Sequence, residues 1–299
     1  MEINTQTNMH TIKRKNNINS RKLKNKVFHG FLILATTMSI IVLALLLYQI
    51  FSTGFKYLSF DFLNNMPSRF PHKAGIKSAL VGSIWVISLT ALFSFPLGVG
   101  TAIYLEKYSN SKSWLNKLLQ INIANLAGVP SIVYGMLGLA VFVRFFNFER
   151  SILSGALTLT LLILPVIIVA AQEAIKSVPD SLIQGSFALG VTKWQTITGV
   201  VLPYALPGIL TGTILAISRA MGEAAPLIMV GAAGYIAFMP SGPMDSFTVL
   251  PIQIFNWTSR PQAEFQNIAA AGIIVLMALL LTANATAIIL RNKYQNRTD

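Results

Sequence analysis

The sequence predicts an all-α, polytopic membrane protein with six transmembrane helices. Three observations carry the fold class. Hydrophobic residues make up 54% of the 299 positions and charged residues only 11%, whereas a soluble domain carries roughly a quarter of its residues charged. Six stretches are long enough to cross a hydrocarbon core about 30 Å thick, which takes roughly 20 apolar residues in helix. The positive charges fall unevenly on alternate connections, as they do when loops lie on two sides of a membrane.

Residues 1–26 are rich in Asn, Lys and Arg and read as a disordered basic cytoplasmic tail lying against anionic lipid. The leading span follows at 27–51, carries no charge, and has too long an apolar core for a cleavable signal. An extracytoplasmic loop covers 52–75. A five-helix core covers 76–291, with spans near 76–105, 121–143, 152–171, 208–231 and 268–290. A short cytoplasmic tail, 292–299, closes the chain. Pro96, Pro130, Pro165 and Pro226 fall inside spans two to five. Each proline frees a backbone carbonyl that must find another partner in lipid. Ordinary kinking accounts for this pattern, and so does a pathway lined by bent backbone.

The cations set the orientation. Fifteen of the 23 Lys and Arg lie before span one, between spans two and three, between four and five, or after span six. Seven lie on the alternate connections, and Arg219 lies within span five. The excess places both termini in the cytoplasm, with the chain multi-pass in the plasma (inner) membrane. The net charge of +13 is therefore mostly a topology signal rather than a nucleic-acid footprint. Cysteine is absent, and His10, His29 and His72 have no partner at ligand spacing, so no metal or cofactor site is expected.

The segment between spans four and five, 173–205, reads as a docking surface. Pro179, Asp180 and Ser181 mark a helix start, and Gly190 suits its stop. Thr192 caps a second helix through Trp194 and Ile197, which Pro203 is expected to close. Leu182, Ile183 and Phe187 would form an exposed apolar ridge fitted to a partner's groove. The alternative is an amphipathic loop packed on its own membrane domain. The spacing resembles the cytoplasmic signature of ATP-binding-cassette (ABC) importer permeases: Glu-Ala-Ala, three residues, Gly, nine residues, Ile, one residue, Leu-Pro. Here Gln184, Gly185 and Ser186 hold the first three positions, Gly190 the glycine, Val200 the Ile position, and Leu202 and Pro203 the end. The resemblance implies a coupling helix that inserts into a separate nucleotide-binding subunit. The chain itself has no G-x-x-x-x-G-K-[ST] phosphate loop, so hydrolysis is expected elsewhere and no catalytic residue is expected here.

Arg219 and Glu223 are the ionisable residues deep in a span, four apart in ISRAMGEAAPL. A charge at the bilayer centre costs roughly 3 kcal/mol on insertion scales, so both should face protein or water. They read either as an ion pair pinning helices or as an anion site, since guanidinium matches phosphate-like oxygens. In span three, NLAGVPSIVYG sets Gly128, Pro130, Ser131, Tyr134 and Gly135 in an apolar run. Small residues there serve helix packing, and exposed backbone amides beside Pro130 could line a cavity.

The stretches NLAGVPSIVYG and RAMGEAAP resemble the PstA family, permease subunits of phosphate-specific ABC importers, over roughly 73–291. The resemblance implies the type I importer (MetI-like) fold and inorganic phosphate as substrate. It implies a PstC-like second permease, two copies of a PstB-like ATPase, and a PstS-like phosphate-binding protein outside. Arg219 and Glu223 match that family's charged positions and are expected in the translocation pathway, and Ser131 and Tyr134, beside Pro130, are expected to line it as well. Another oxyanion, molybdate or sulfate, is the nearest alternative. A secondary transporter or channel would want more intramembrane acids, and an intramembrane enzyme would need a nucleophile and base that this chain lacks.

Overall fold

The computed structural model describes residues 3–110 and 113–295, with side chains over 21–110 and 113–293. Lys112 and Arg297, counted among the cations above, lie outside the described residues. The chain divides into two compact units, 1–52 and 53–299.

The first unit is a single helix, α1 (Ile3–Gly54), which runs on into the start of the second. Side chains 21–46 are all exposed, as on a span surrounded by lipid. The backbone expected to be disordered is helical from Ile3. No Gly or Pro occurs before Gly30, so nothing in the basic segment stops a helix nucleated in the span from extending outward.

The second unit is built around α6 (Ile152–Lys176), most of whose side chains are buried. Against it packs α3 (Lys77–Ile103), which ends in a π-helical turn, Tyr104–Tyr108. A four-residue repeat runs along α3: Ser78, Gly82, Val86, Thr90, Ser94, Gly98 and Ala102 are all buried, with Gly82 against the Thr248 backbone and Thr90 and Gly98 against α6. Small side chains at that spacing let two backbones approach closely, which is how helices associate where lipid is as apolar as leucine. Thr90 Oγ1 bonds the carbonyls of Val86 and Ala156 at 2.8 and 3.3 Å, and a Cβ on Gly98 would lie 2.5 Å from Ile167. Pro96 is on the exposed side, away from this repeat.

The third expected span is broken. Helix α4 (Trp114–Leu126) and α5 (Ser131–Gly138, continued as a π-helical stretch to Phe145) meet at 107°. Pro130 has no N–H to continue α4 and stands at the N-cap of α5 in an extended conformation, ψ 137°. A helix interrupted in this way is tolerated at membrane depth only where neighbours cover the freed groups.

The fifth span also differs from expectation. A capped turn, α8 (Lys193–Thr196), runs through a π-helical turn (Ile197–Val201) into α9 (Leu202–Met221). The chain then breaks at Gly222 and resumes as α10 (Ala225–Val230), with Pro226 in its first turn and Gly231 (φ +99°) at its end. The last span is α12 (Ala263–Gln295), which absorbs the start of the expected C-terminal tail. Among the described residues, five helices are long and apolar enough to cross a membrane, and the bent α4–α5 pair, counted as one span, makes six.

Short pieces fill the connections: a 3-10 turn (Phe55–Tyr57), α2 (Phe60–Asn64) and α11 (Leu250–Thr258). The α10–α11 connection completes the N-terminus of α6. Ile152 N–H donates to the Asp245 carbonyl and Leu153 N–H to that of Pro243, at 3.0 and 2.8 Å. The Ser151 hydroxyl accepts from Ser154 N–H, and its carbonyl takes the first regular helix bond, from Gly155 N–H. The N–H groups of Ile152, Leu153 and Ser154, which have no partner within the helix, are thereby satisfied at a buried helix start.

Candidate functional site

The coupling segment forms an L of two helices. Helix α7 (Asp180–Ala188) follows Pro179, and Gly190 reverses the chain with φ +79°, a conformation that costs a side-chain-bearing residue about 1–2 kcal/mol. Thr192 then caps α8 in a reciprocal box: its hydroxyl accepts from Gln195 N–H at 3.4 Å, and Gln195 Oε1 accepts from Thr192 N–H at 2.8 Å. Ser186 is buried, and its hydroxyl meets that of Thr196 at 2.9 Å across the angle of the L.

Two readings of this segment change. Pro203 does not close the second helix. The π-helical turn just before it shifts the hydrogen-bond register, so the helix passes the missing N–H and continues as α9. Ile183 is not on the exposed ridge: it packs inward against a cluster containing Ala102, Ile175, Val201 and Ile209. Leu182, Phe187 and Leu189 are exposed instead, joined by Trp194, and Leu189 is 84% exposed. Gln184 and Gly185 are exposed on α7, and a Cβ on Gly185 meets nothing. Leu202 is half-buried, and Pro203 is exposed at the start of α9.

The charged pair sits where α9 ends. Arg219 belongs to its last turn, and Glu223 lies just past the break, with Nε and Oε1 3.5 Å apart. The guanidinium side chain is 54% exposed in this chain and the Glu223 side chain 21%. Glu223 lines a narrow, mostly apolar cleft of ≈ 20 Å³ with Ser83, Leu159, Leu227, Leu276 and others. Glu223 thus lies inward, while Arg219 is the more exposed of the pair. One residue before Arg219, Ser218 Oγ donates to Asn284 Oδ1 on α12 at 2.6 Å, a polar helix contact that the apolar run conceals.

The second stretch folds against the first. A Cβ on Gly135 would lie 2.7 Å from Pro226 Cα and 2.8 Å from Met229 Cβ, so the absence of a side chain lets α5 lie on α10. Gly138 likewise meets Thr158 on α6. Tyr134 is buried, and its hydroxyl donates to the Leu126 carbonyl at 2.8 Å, across the bend. This occupies one of the carbonyls that the end of α4 leaves open. Ser131 opens α5 at the bend and is half-buried. Among the described residues no cluster of His, Cys, Asp and Glu could hold a metal ion.

Residues 94–294 match the family model described as "Binding-protein-dependent transport system inner membrane component", and the chain belongs to that family. It is a multi-pass permease subunit of the ABC importer class, not itself an enzyme; such a component works with a separate ATPase subunit and a substrate-binding protein. Among its relatives, a "Probable ABC transporter permease protein YqgI" of Bacillus subtilis is 33% identical, over 90% of this chain and 95% of that one. A "Phosphate transport system permease protein PstA 1" of Mycobacterium tuberculosis is 32% identical, over 91% and 90%. A "Phosphate transport system permease protein PstA" of Yersinia pestis is 33% identical, over 92% of each. Solved structures show the same fold at lower identity. The chain aligns to a bacterial alginate ABC transporter with a TM-score of 0.62 at 16% identity, covering 91% of this chain and 99% of that one. It aligns to the MetNI methionine ABC transporter with a TM-score of 0.58, also at 16%, covering 71% and 93%.

Proposed function

We propose that this chain is one of two permease subunits in an ATP-driven importer that moves inorganic phosphate inward across the plasma membrane. The observation that carries the substrate is the span of similarity to permeases named for phosphate transport, about a third of positions over nine-tenths of both chains. It includes the two stretches that meet at Gly135 and Pro226. The partners on this reading are a PstC-like second permease, a PstB-like ATPase dimer and a PstS-like binding protein. A second Bacillus subtilis permease, YqgH, is 36% identical over 73% of this chain, which fits a pair of related permease chains in one organism.

The coupling L would seat the ATPase with Leu182, Phe187 and Leu189, while Gln184, Gly185, Ser186, Gly190, Leu202 and Pro203 shape it. Both termini and this loop lie in the cytoplasm on this reading. Arg219 and Glu223 face the translocation path. A guanidinium that leaves its own chain's interior at that depth needs water or a second subunit rather than lipid. Tyr134 and Ser131 support the path by holding the bend. The test is ATP hydrolysis by the reconstituted complex. Stimulation by phosphate-loaded binding protein, and none by sulfate or molybdate with the same components, supports the assignment; equal stimulation by all three defeats it.

A further inference from the structure

We propose that the π-helical turn Tyr104–Tyr108 is the seat that holds the coupling L where it leaves α6 and at its corner, with Glu106 and Tyr108 as positioning residues that pass its movement to α3. This rests on the reading of the L as the ATPase-coupling element.

The L is covalently joined to α6 at one end and to α9 at the other, and α3 touches neither through the chain. The turn that ends α3 is nevertheless held to two junctions, α6–α7 and α7–α8. Glu106, with a side chain only 14% exposed, accepts from buried Gln172 Nε2 at 2.8 Å and lies 3.7 Å from Lys176 Nζ. Lys176 is the last residue of α6. Two residues on, the Tyr108 ring lies under Lys193 Nζ at 4.9 Å, and Lys193 is the first residue of α8. Residues two apart on a helix project to opposite sides, so a single turn can reach both junctions. A third contact lies between them: Ile183 of α7 packs against the cluster that includes Ala102, with Val99 and Ile103 beside it.

The chemistry suits a movable seat. The Glu106 carboxylate is largely withdrawn from water, where its contacts to Gln172 and Lys176 are strongest, and it has no other basic neighbour among those described. The cation–π contact is more exposed and tolerates sliding, because a ring face is broad. Widened π-helical turns inside α-helices recur at functional positions. Lost seating would leave the L attached to α6 and α9 and free of α3.

The chain has no cysteine, so introduced thiols can be labelled singly. The experiment places nitroxides at Leu97→Cys on α3 and Ile289→Cys on α12, in the complex with the second permease and the ATPase, and reads their distance with and without ATP. The parent is expected to show an ATP-dependent shift. Glu106→Ala with Tyr108→Leu should reduce that shift by more than half while the ATPase still co-purifies and hydrolyses ATP. Glu106→Gln with Tyr108→Phe, which keeps an acceptor for Gln172 and a ring under Lys193, should retain most of it, which guards against simple misfolding. An unchanged shift in the double variant overturns the proposal, as does a parent that hydrolyses ATP with no shift. The readout needs no phosphate, so a wrong substrate leaves it intact, and a wrong coupling reading fails earlier, at co-purification.

Discussion

The hydroxyl of Ser186 meets that of Thr196 at 2.9 Å, a buried contact that ties α7 to α8 across the angle of the L. Thr196 Oγ1 keeps a second partner, the Thr192 carbonyl, at 3.2 Å. Ser186→Ala should therefore cost only about 1 kcal/mol, the net worth of one hydrogen bond, and weaken ATPase binding several-fold. Ser186→Leu should abolish docking, because the buried site has no room for a branched side chain with two more heavy atoms. Co-purification of the ATPase at graded detergent and salt measures both.

Gly190 separates conformational strain from crowding. A Cβ there would meet nothing within 4 Å, so any penalty comes from φ +79° alone. Gly190→Val should lose most uptake and ATPase retention, while Gly190→Asn, which tolerates the left-handed region, should keep most of both. Equal loss in the two variants would mean that something other than backbone conformation governs the position.

Gly135 makes the opposite case, since a Cβ there collides with the backbone of Pro226. Gly135→Ala should destabilise the chain by about 1–3 kcal/mol and lower the melting temperature of the purified complex. Gly100→Ala, at a site open on all sides, is the matched control and should leave melting unchanged.

Arg219→Ala should abolish phosphate uptake while assembly and ATPase docking persist. The side chain is 54% exposed in this chain and pairs with Glu223 at 3.5 Å, so its removal leaves no tightly packed void. Normal uptake by a fully assembled variant would remove Arg219 from the pathway and leave a pinning ion pair.

Asp245 gives the α10–α11 connection a pH dependence. Its carboxylate accepts from the N–H groups of Ser241 and Gly242 and from the Ser241 hydroxyl, which hold its pKa below the ordinary 3.8. The folded pKa is depressed, so the contribution is present above about pH 4 and is lost as pH falls through the lower, folded value. Peptic cleavage within 241–245 should rise below pH 4 in the parent. Asp245→Asn should be cut readily even at the upper end of the pepsin range, with little further dependence on pH.

Much of this architecture can be read from residue order, for physical reasons. Apolar runs and cation asymmetry locate spans because burial in lipid is a gross energetic demand. The turn at Gly190 and the cap at Thr192 are local and equally legible. The 107° bend at Pro130 was visible only as a kink, since its sharpness depends on Tyr134 reaching Leu126 eight residues back. Pro203 misled because a π-helical turn cannot be told from a helix end by composition. Glu106 and Gln172 were missed because their partnership spans 66 residues, and the four-residue repeat from Ser78 to Ala102 hides in an apolar run.

The central claim is inward phosphate transport driven by a partner ATPase, and radiolabelled phosphate uptake into proteoliposomes tests it most directly. The vesicles would hold this chain with its second permease and ATPase, ATP on the ATPase side and binding protein on the other. The account predicts accumulation that needs ATP and binding protein, persists against excess sulfate or molybdate, and vanishes with Arg219→Ala. Phosphate uptake without ATP, or ATP-driven accumulation of a different solute in place of phosphate, would contradict it.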